Sequence, residues 1–372
     1  GRMAQLDKTF PTNDCSMCTI SPKLVEAGRH LNIQLMMDTE VMKMDGQAGN
    51  FTVTVRHKPR YIDVSKCTGC SECAQVCPVI IPGRFDEGMA SQRAAFKLYP
   101  QAVPNAFAIE KRGIAPCRDA CPSGQRAQGY IALIRERRYE DALRVIKEDN
   151  PFPGICGRIC NHRCEDACNR NLIDQPLDIR ALKRFVTDKV YAQPRSPVVP
   201  LRPTSDQRVA IIGAGPCGLT AAQDMMRLGY PVTVFEALPV AGGMLRVGVP
   251  EYRLPTALIE REVNDIADLG LDLRLNSPVT NLDDLFAQGY DAVLIAVGAH
   301  EGIRLPIPGA ELDGVLINTV FLRDVRLGRP PELGQRVVVI GSGDVAMDCA
   351  RTALRLGKEV HIHYRRSRAE AT

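Results

Sequence analysis

Residues 209–218 read VAIIGAGPCG, a short run of branched and small apolar residues that breaks into Gly213-Ala214-Gly215-Pro216-Cys217-Gly218. A buried strand that enters such a turn and leaves it as a helix, here with Leu219, Ala222 and Met226 on one face, opens a dinucleotide-binding βαβ unit. Gly213 permits the tight turn, Gly215 lets a pyrophosphate approach the backbone, and Gly218 lets the helix pack closely on the strand. Val232–Phe235 forms the next strand, and Glu236 at its end stands where an acid accepts hydrogen bonds from ribose hydroxyls. The scheme recurs downstream. Val337–Ile340 runs into Gly341-Ser342-Gly343-Asp344-Val345-Ala346, with alanine in the third place, and Val360–Tyr364 is the strand that follows. Where an NAD site would present a carboxylate, Arg365 and Arg366 stand instead; guanidinium groups suit a ribose 2′-phosphate, which favours NADP(H), the bland alternative being a solvated basic strand end. His361 and His363 share one face of that strand, as packed or surface residues do as well as metal ligands. Cys217 inside the first turn reads as a small apolar filler or as a reactive thiol.

Upstream, twelve of the fourteen cysteines fall at short metal-ligand spacings. Cys67-x-x-Cys70-x-x-Cys73-x-x-x-Cys77-Pro78 is the bacterial ferredoxin spacing, and all four thiolates are expected on one [4Fe–4S] cluster. Cys117-x-x-x-Cys121-Pro122 and Cys156-x-x-x-Cys160-x-x-x-Cys164-x-x-x-Cys168 make a second, six-cysteine set, for which zinc is the competing metal because thiolates alone do not separate it from iron. Cys15-x-x-Cys18 reads either as a structural thiol pair or as cluster or redox ligands short of a complete site.

The 372 residues suffice for two or three domains, and 45% apolar with 24% charged residues is ordinary for a soluble globular chain. A net charge of +4 with no Trp argues against nucleic acid. No apolar run is long enough to cross a bilayer, and the amino-terminal stretch has no secretory pattern, so no membrane insertion and a cytoplasmic location are expected. The cysteine spacings suit metal ligation in a reducing compartment rather than disulfides.

Residues 31–58 read as a hairpin, Ile33 and Leu35 alternating into Val41, Asp45-Gly46 and Gly49-Asn50 turning the chain, and Phe51, Val53 and Val55 returning. From about Gln125 to Lys147 the spacing of Tyr130, Leu133, Ile134, Leu143 and Ile146 has helical period, and Leu177–Tyr191 offers another helix through Leu182, Phe185, Val186 and Val190. Pro194, Pro197, Pro200 and Pro203 mark a stiff linker before the first glycine turn.

Beyond Glu236, the run AGGMLRVGVPEYRLP strongly resembles the small subunit of glutamate synthase and the homologous part of dihydropyrimidine dehydrogenase. That resemblance implies FAD at the first turn, with contacts from Glu236, Gly242, Gly243, Met244 and Arg253, and implies that Val293–Gly298 returns beneath the flavin. NPFPGICGRIC and CEDAC look like the helical domain of the same family, which carries two [4Fe–4S] clusters. In those relatives an upstream cysteine pair completes one cluster and a Gln or Glu completes the other; this chain lacks the pair, and Lys183 stands at the Gln/Glu position. A protonated lysine cannot ligate iron. One cluster is therefore expected on Cys121, Cys160 and Cys164, with Cys156 as fourth candidate, leaving Cys117 and Cys168 to a second cluster with unassigned partners. GRMAQLDKTFPTNDCSMC and the hairpin resemble the flavoprotein component of heterodisulfide reductase, which is interrupted by a ferredoxin insert.

Together these imply a multidomain α/β and α+β chain: a partial flavoprotein segment (1–62), a ferredoxin-like [4Fe–4S] module (63–108), an α-helical Fe–S domain (109–193), a Pro-rich linker (194–206), a Rossmann-like FAD domain of the glutathione-reductase type (207–328) and the start of an NADP(H) domain (329–372). The last is expected to be carboxy-terminally incomplete, the chain being a fragment of a longer polypeptide. The function expected is electron transfer between NAD(P)H, FAD and clusters toward a redox partner subunit or ferredoxin, with no catalytic side chain. A glutamate-synthase-like electron input and a non-enzymatic cluster-bearing scaffold are the alternatives.

Overall fold

The computed structural model describes residues 2–195 and 197–371, so Gly1, Ser196 and Thr372 lie outside it. The chain divides into two compact units, residues 1–117 with 166–177, and residues 118–165 with 178–372.

In the first unit, α1 (Ser16–Arg29) precedes the antiparallel hairpin β1 (Thr39–Gln47) and β2 (Asn50–His57), joined through Ala48-Gly49 with a register shift between Val41 and Lys43. Ile33 and Leu35 fall outside β1, in an irregular stretch that makes no ladder bonds. The hairpin exposes apolar side chains, Val41 at 67% and Phe51 at 54%, which its register puts on one face. The ferredoxin segment follows as α2 (Glu72–Val76), with β3 (Ile80–Pro82) against β4 (Ser91–Arg93) and β5 (Ala95–Phe96) against β6 (Ala108–Ile109). Gly69 and Ser71 hold left-handed φ values of 77° and 73°, which bends the cysteine loop back on itself. A Cβ on Gly69 would lie 2.9 Å from the Asn105 side chain.

Short α3 (Pro116–Asp119) leads to α4 (Ala127–Arg135), α5 (Tyr139–Asp149), α6 (Pro153–Ile159), α7 (Arg163–Asp166) and α8 (Ile179–Tyr191). The stretch 125–147 is thus two helices, because Arg137 adopts a left-handed φ of 62° and ends the first one. Helices α4, α5, α6 and α8 pack together.

The remainder of the second unit is a parallel sheet in the order β10-β7-β8-β9, built from β7 (Val209–Ile212), β8 (Val232–Phe235), β9 (Asp272–Arg274) and β10 (Ala292–Ile295). Helices α9 (Pro216–Arg227), α10 (Met244–Val247), α11 (Thr256–Ala267) and α12 (Asp283–Ala287) accompany it. After α13 (Asn318–Arg326), the parallel pair β11 (Arg336–Ile340) and β12 (Glu359–His363) brackets α14 (Asp344–Arg355). One apolar core joins the helical part to the sheet: Phe152 and Ile155 of the α6 region are buried with Ile211, Ala214, Leu219, Leu254 and Ile259, and Cys156 packs against them. The proline-rich stretch is pinned to the sheet domain through Leu201 N–H to the Leu269 carbonyl (2.8 Å) and Thr204 N–H to the Gly229 carbonyl (2.9 Å).

Candidate functional site

The first glycine turn is built for a close ligand. A Cβ on Gly213, which has a φ of +109°, would meet the Ala296 carbonyl oxygen at 2.4 Å, and one on Gly218 would meet the Gly213 oxygen at 2.0 Å. Gly215 lies at the mouth and caps α9 with extended backbone and no side-chain cap, leaving the helix's first N–H groups available to an anion. The loop carrying Gly242 and Gly243 closes one side: Gly242 N–H donates to the Ala214 carbonyl at 2.8 Å, and a Cβ on Gly243 would come 2.8 Å from Gly215 Cα. Gly243 φ is 52°, and Met244 begins α10 directly after it. Glu236, buried, accepts from Ala214 N–H (2.8 Å) and Leu238 N–H (2.9 Å), one bond on each oxygen. A carboxylate has about four lone-pair sites, so acceptor capacity for ribose hydroxyls is left. Gly298 follows β10 with φ 69° and open space at its Cα. These features fit a dinucleotide.

Arg253 is paired within the protein. Its guanidinium pairs with Asp348 Oδ2 on α14 at 2.5 Å, and the neighbouring Tyr252 hydroxyl donates to Asp348 Oδ1 at 3.2 Å. Tyr252 also lies under the Arg351 and Arg355 guanidinium groups, at 4.6 and 3.9 Å from its ring centre. Asp348, buried in α14, gave no signal in the sequence beyond its place on the helix's inner face.

The second turn is open. Gly341 has φ +120°, nothing lies within 4 Å of a Cβ on Gly343, and Gly343 caps α14 with Asp344 at its first position. Arg365 and Arg366 are exposed after β12, and no ion pair engages either among the described residues. His361 pairs with Glu359 on the strand surface at 2.9 Å.

In the ferredoxin loop, the Cys67 thiol accepts the Phe107 N–H at 3.4 Å, and this bond, with one from Gly69, holds its pKa below the ordinary thiol value. Burial raises Cys73, and the neighbouring Cys67 and Cys70 add to it. In the second unit, burial lifts the Cys164 thiol to about 11, against the pull of Lys183, while Cys121 and Cys160 push it further up. Burial likewise raises Cys156, whose thiol faces Asn150 Oδ1 at 3.9 Å and feels both Lys183 and Cys160. Cys121, Cys156, Cys160 and Cys164 therefore share one unit and one electrostatic neighbourhood. Cys117 and Cys168 lie in the other unit. The cysteines at steps of four do not line one helix: Cys160 ends α6, Cys164 sits in α7 and Cys168 lies beyond it. No disulfide links the described cysteines. Among the described residues, no group of three or more His, Cys, Asp or Glu side chains is placed to hold a single metal ion.

Glu262 of α11 is fully buried and binds the start of α6, accepting from Gly154 N–H (2.6 Å), Ile155 N–H (3.2 Å) and the Tyr191 hydroxyl (3.1 Å). Burial pushes its pKa up to about 7. The sequence held a clue to it, since Glu262 interrupts the apolar face formed by Ile259, Val263 and Ile266.

Cys15 caps α1 and accepts the Cys18 N–H at 3.3 Å; bonding to Cys18 lowers its pKa, and Cys18 is raised in turn.

Three stretches of the chain match known families. Residues 207–372 match the pyridine nucleotide-disulphide oxidoreductase model, residues 102–194 match dihydropyrimidine dehydrogenase domain II with its 4Fe–4S cluster, and residues 60–79 match the 4Fe–4S binding domain. The chain carries two kinds of iron–sulfur domain and a FAD- and NAD(P)-binding oxidoreductase domain. That settles the metal in favour of iron. The NADP(+)-dependent formate dehydrogenase subunit beta of Moorella thermoacetica is 45% identical over 284 residues, 69% of this chain and 40% of that protein. The NADPH-Fe(3+) oxidoreductase subunit beta of Geobacter sulfurreducens is 39% identical over 317 residues, 82% of this chain and 46% of its own length. The glutamate synthase [NADPH] small chain of Mycobacterium tuberculosis is 36% identical over 264 residues, 66% and 53% of the two chains. The chain spans about half the length of these curated relatives. No helix among the described residues is long and apolar enough to cross a membrane.

Proposed function

We propose that the chain is the electron-handling part of an NADP(H)-dependent oxidoreductase, passing electrons between NAD(P)H, FAD and [4Fe–4S] clusters and on to a partner subunit or ferredoxin. The observation that carries the reading is the shared core: Cys156 packs on α6 against the same buried residues that hold Ala214 of the first glycine turn. When bound, the cofactors supply hydride exchange between nicotinamide and flavin and single-electron exchange at iron. The residues do the holding. Gly213, Ala214, Gly215, Pro216 and Gly218 with Gly242, Gly243 and Met244 form the FAD cradle, and Glu236 receives the ribose. Gly341, Gly343 and Asp344 form the second turn, and Arg365 and Arg366 would take a 2′-phosphate through charge-assisted bonds. Cys67, Cys70, Cys73 and Cys77 hold one cluster and Cys121, Cys156, Cys160 and Cys164 another, Cys117 and Cys168 being ligands of a further one. Arg253, tied to Asp348 through Nη1, keeps further N–H donors for FAD. The oxidoreductases among the relatives, whose names specify NADP(+) or NADPH, support this nucleotide, and we read residues 1–62, on their resemblance to the heterodisulfide reductase flavoprotein, as a flavoprotein-like segment. A glutamate-synthase-like electron input also fits residues 102–372; the ferredoxin loop at 60–79 favours the broader reading.

The test is anaerobic stopped-flow spectroscopy of the iron- and flavin-loaded chain. NADPH should bleach the flavin band far faster than NADH, and cluster absorbance should then fall. An unchanged flavin spectrum with either nucleotide would leave only a cluster-bearing scaffold.

A further inference from the structure

Helices α6 and α8 lie against each other in a defined register. Arg180 donates to the Cys160 carbonyl at 2.9 Å, a Cβ on Gly157 would sit 2.9 Å from Arg184 Cα, and one on Gly154 would sit 3.1 Å from Thr187 Cγ2. As α8 advances through 180, 184 and 187 it therefore passes 160, 157 and 154 of α6. Lys183 is three residues after Arg180 and four before Thr187, so it shares their face and comes level with Cys156 and Gly157. It is 6% exposed.

A buried ammonium needs a negative neighbour, because moving it out of water alone is unfavourable. Among the described residues no carboxylate lies within ion-pair reach of Lys183. The nearby acids are committed: Glu165 accepts the Arg180 N–H at 2.7 Å, and Glu262 binds the start of α6. What the α6–α8 register brings Lys183 level with is the Cys156 turn of α6, between Gly154 and Cys160. A cubane on four thiolates is anionic in both redox states and gains one more negative charge on reduction.

We infer that Lys183 tunes the cluster of the helical domain from outside its ligand set, its fixed positive charge favouring the reduced state. The inference rests on the proposed cluster at Cys121, Cys156, Cys160 and Cys164, and Lys183 is a positioning residue for charge, touching no reacting atom. Burial and the absence of a competing carboxylate make the interaction strong, because little solvent screens it.

The full chain, purified anaerobically and loaded with iron and sulfide, tests this by redox titration followed by electron paramagnetic resonance. Lys183→Met should retain the wild-type iron and sulfide content and shift the reduction equilibrium of one cluster about tenfold toward the oxidised form, about 59 mV lower for one electron. Lys183→Arg should restore it, and the ferredoxin-loop cluster serves as internal reference. An unmoved midpoint in fully loaded Lys183→Met overturns the inference while leaving the electron-transfer reading intact. Iron absent from the wild-type helical domain would overturn both. Should Lys183→Met fail to load, Lys183→Gln is titrated instead, and loss of iron from both neutral variants would make Lys183 a structural requirement and overturn the tuning role.

Discussion

A methyl group built on Gly218 would lie 2.0 Å from the Gly213 carbonyl oxygen, whereas the matching place in the second turn already carries a methyl, that of Ala346, 3.5 Å from where a Cβ on Gly341 would sit. The first turn follows a strand with three of its four residues buried; the second follows β11, where exposed and half-buried residues alternate. The same fingerprint thus serves two different steric situations. In the first, glycine is required by the protein's own backbone, because β7 is flanked by β8 and β10 and the Ala296 carbonyl passes directly over Gly213. In the second, no backbone atom blocks a side chain: Gly341 answers to its φ of +120°, and Gly343 only to what the turn would hold.

That contrast can be broken most forcefully at Gly213. Gly213→Ala combines a left-handed backbone with a carbonyl clash that no rotamer relieves, and should cost about 4 kcal/mol with loss of bound flavin, measured by chemical denaturation and by flavin retention on gel filtration. Gly341→Ala shares the positive φ but not the clash, its nearest neighbour being the Ala346 methyl, and should cost only about 1–2 kcal/mol.

The first turn also differs in being welded to the helical domain, and Glu262 is the polar part of that weld. Glu262→Ala would orphan the Gly154 and Ile155 N–H groups and the Tyr191 hydroxyl together, at a cost of about 3 kcal/mol. The same residue predicts a pH dependence. Its folded pKa, about 7, lies above the unfolded value, so the folded state binds the proton more tightly, and its contribution to stability is fully present at acid pH and lost as pH rises through 7. Unfolding free energy of the wild type relative to Glu262→Gln should therefore decline between pH 5 and 8. A difference that stays flat across that range would mean that the carboxylate is ionised in the folded protein throughout.

Both glycine turns, the flanking strands and the ferredoxin loop were legible because each is local: a strand of four or five apolar residues, a turn with fixed glycine places, four cysteines within eleven positions. Strands expected at 232–235 and 337–340 appear at 232–235 and 336–340. The parts that were not legible depend on long-range contacts. The sequence does not show that Arg253 pairs with Asp348 ninety-five positions away, nor that Glu262 binds the start of α6. Arg137 split one helical period into two helices through a single left-handed residue, a choice that spacing alone cannot report. The fold of each segment was written locally, and the coupling between segments was not.

The smallest expected effect on stability is also the most discriminating. Gly343 has an ordinary negative φ of −75° and empty space around a would-be Cβ, so Gly343→Ala should leave stability within about 0.5 kcal/mol of the wild type. If the second turn holds a pyrophosphate, however, that added methyl occupies the approach that Gly343 keeps clear. NADPH affinity, read by isothermal titration, should then fall about tenfold, roughly 1.4 kcal/mol, with no change in melting temperature of the nucleotide-free chain. Equal affinity in the two proteins would mean that the open space at Gly343 is not where the nucleotide sits, and the difference between the turns would reduce to packing alone.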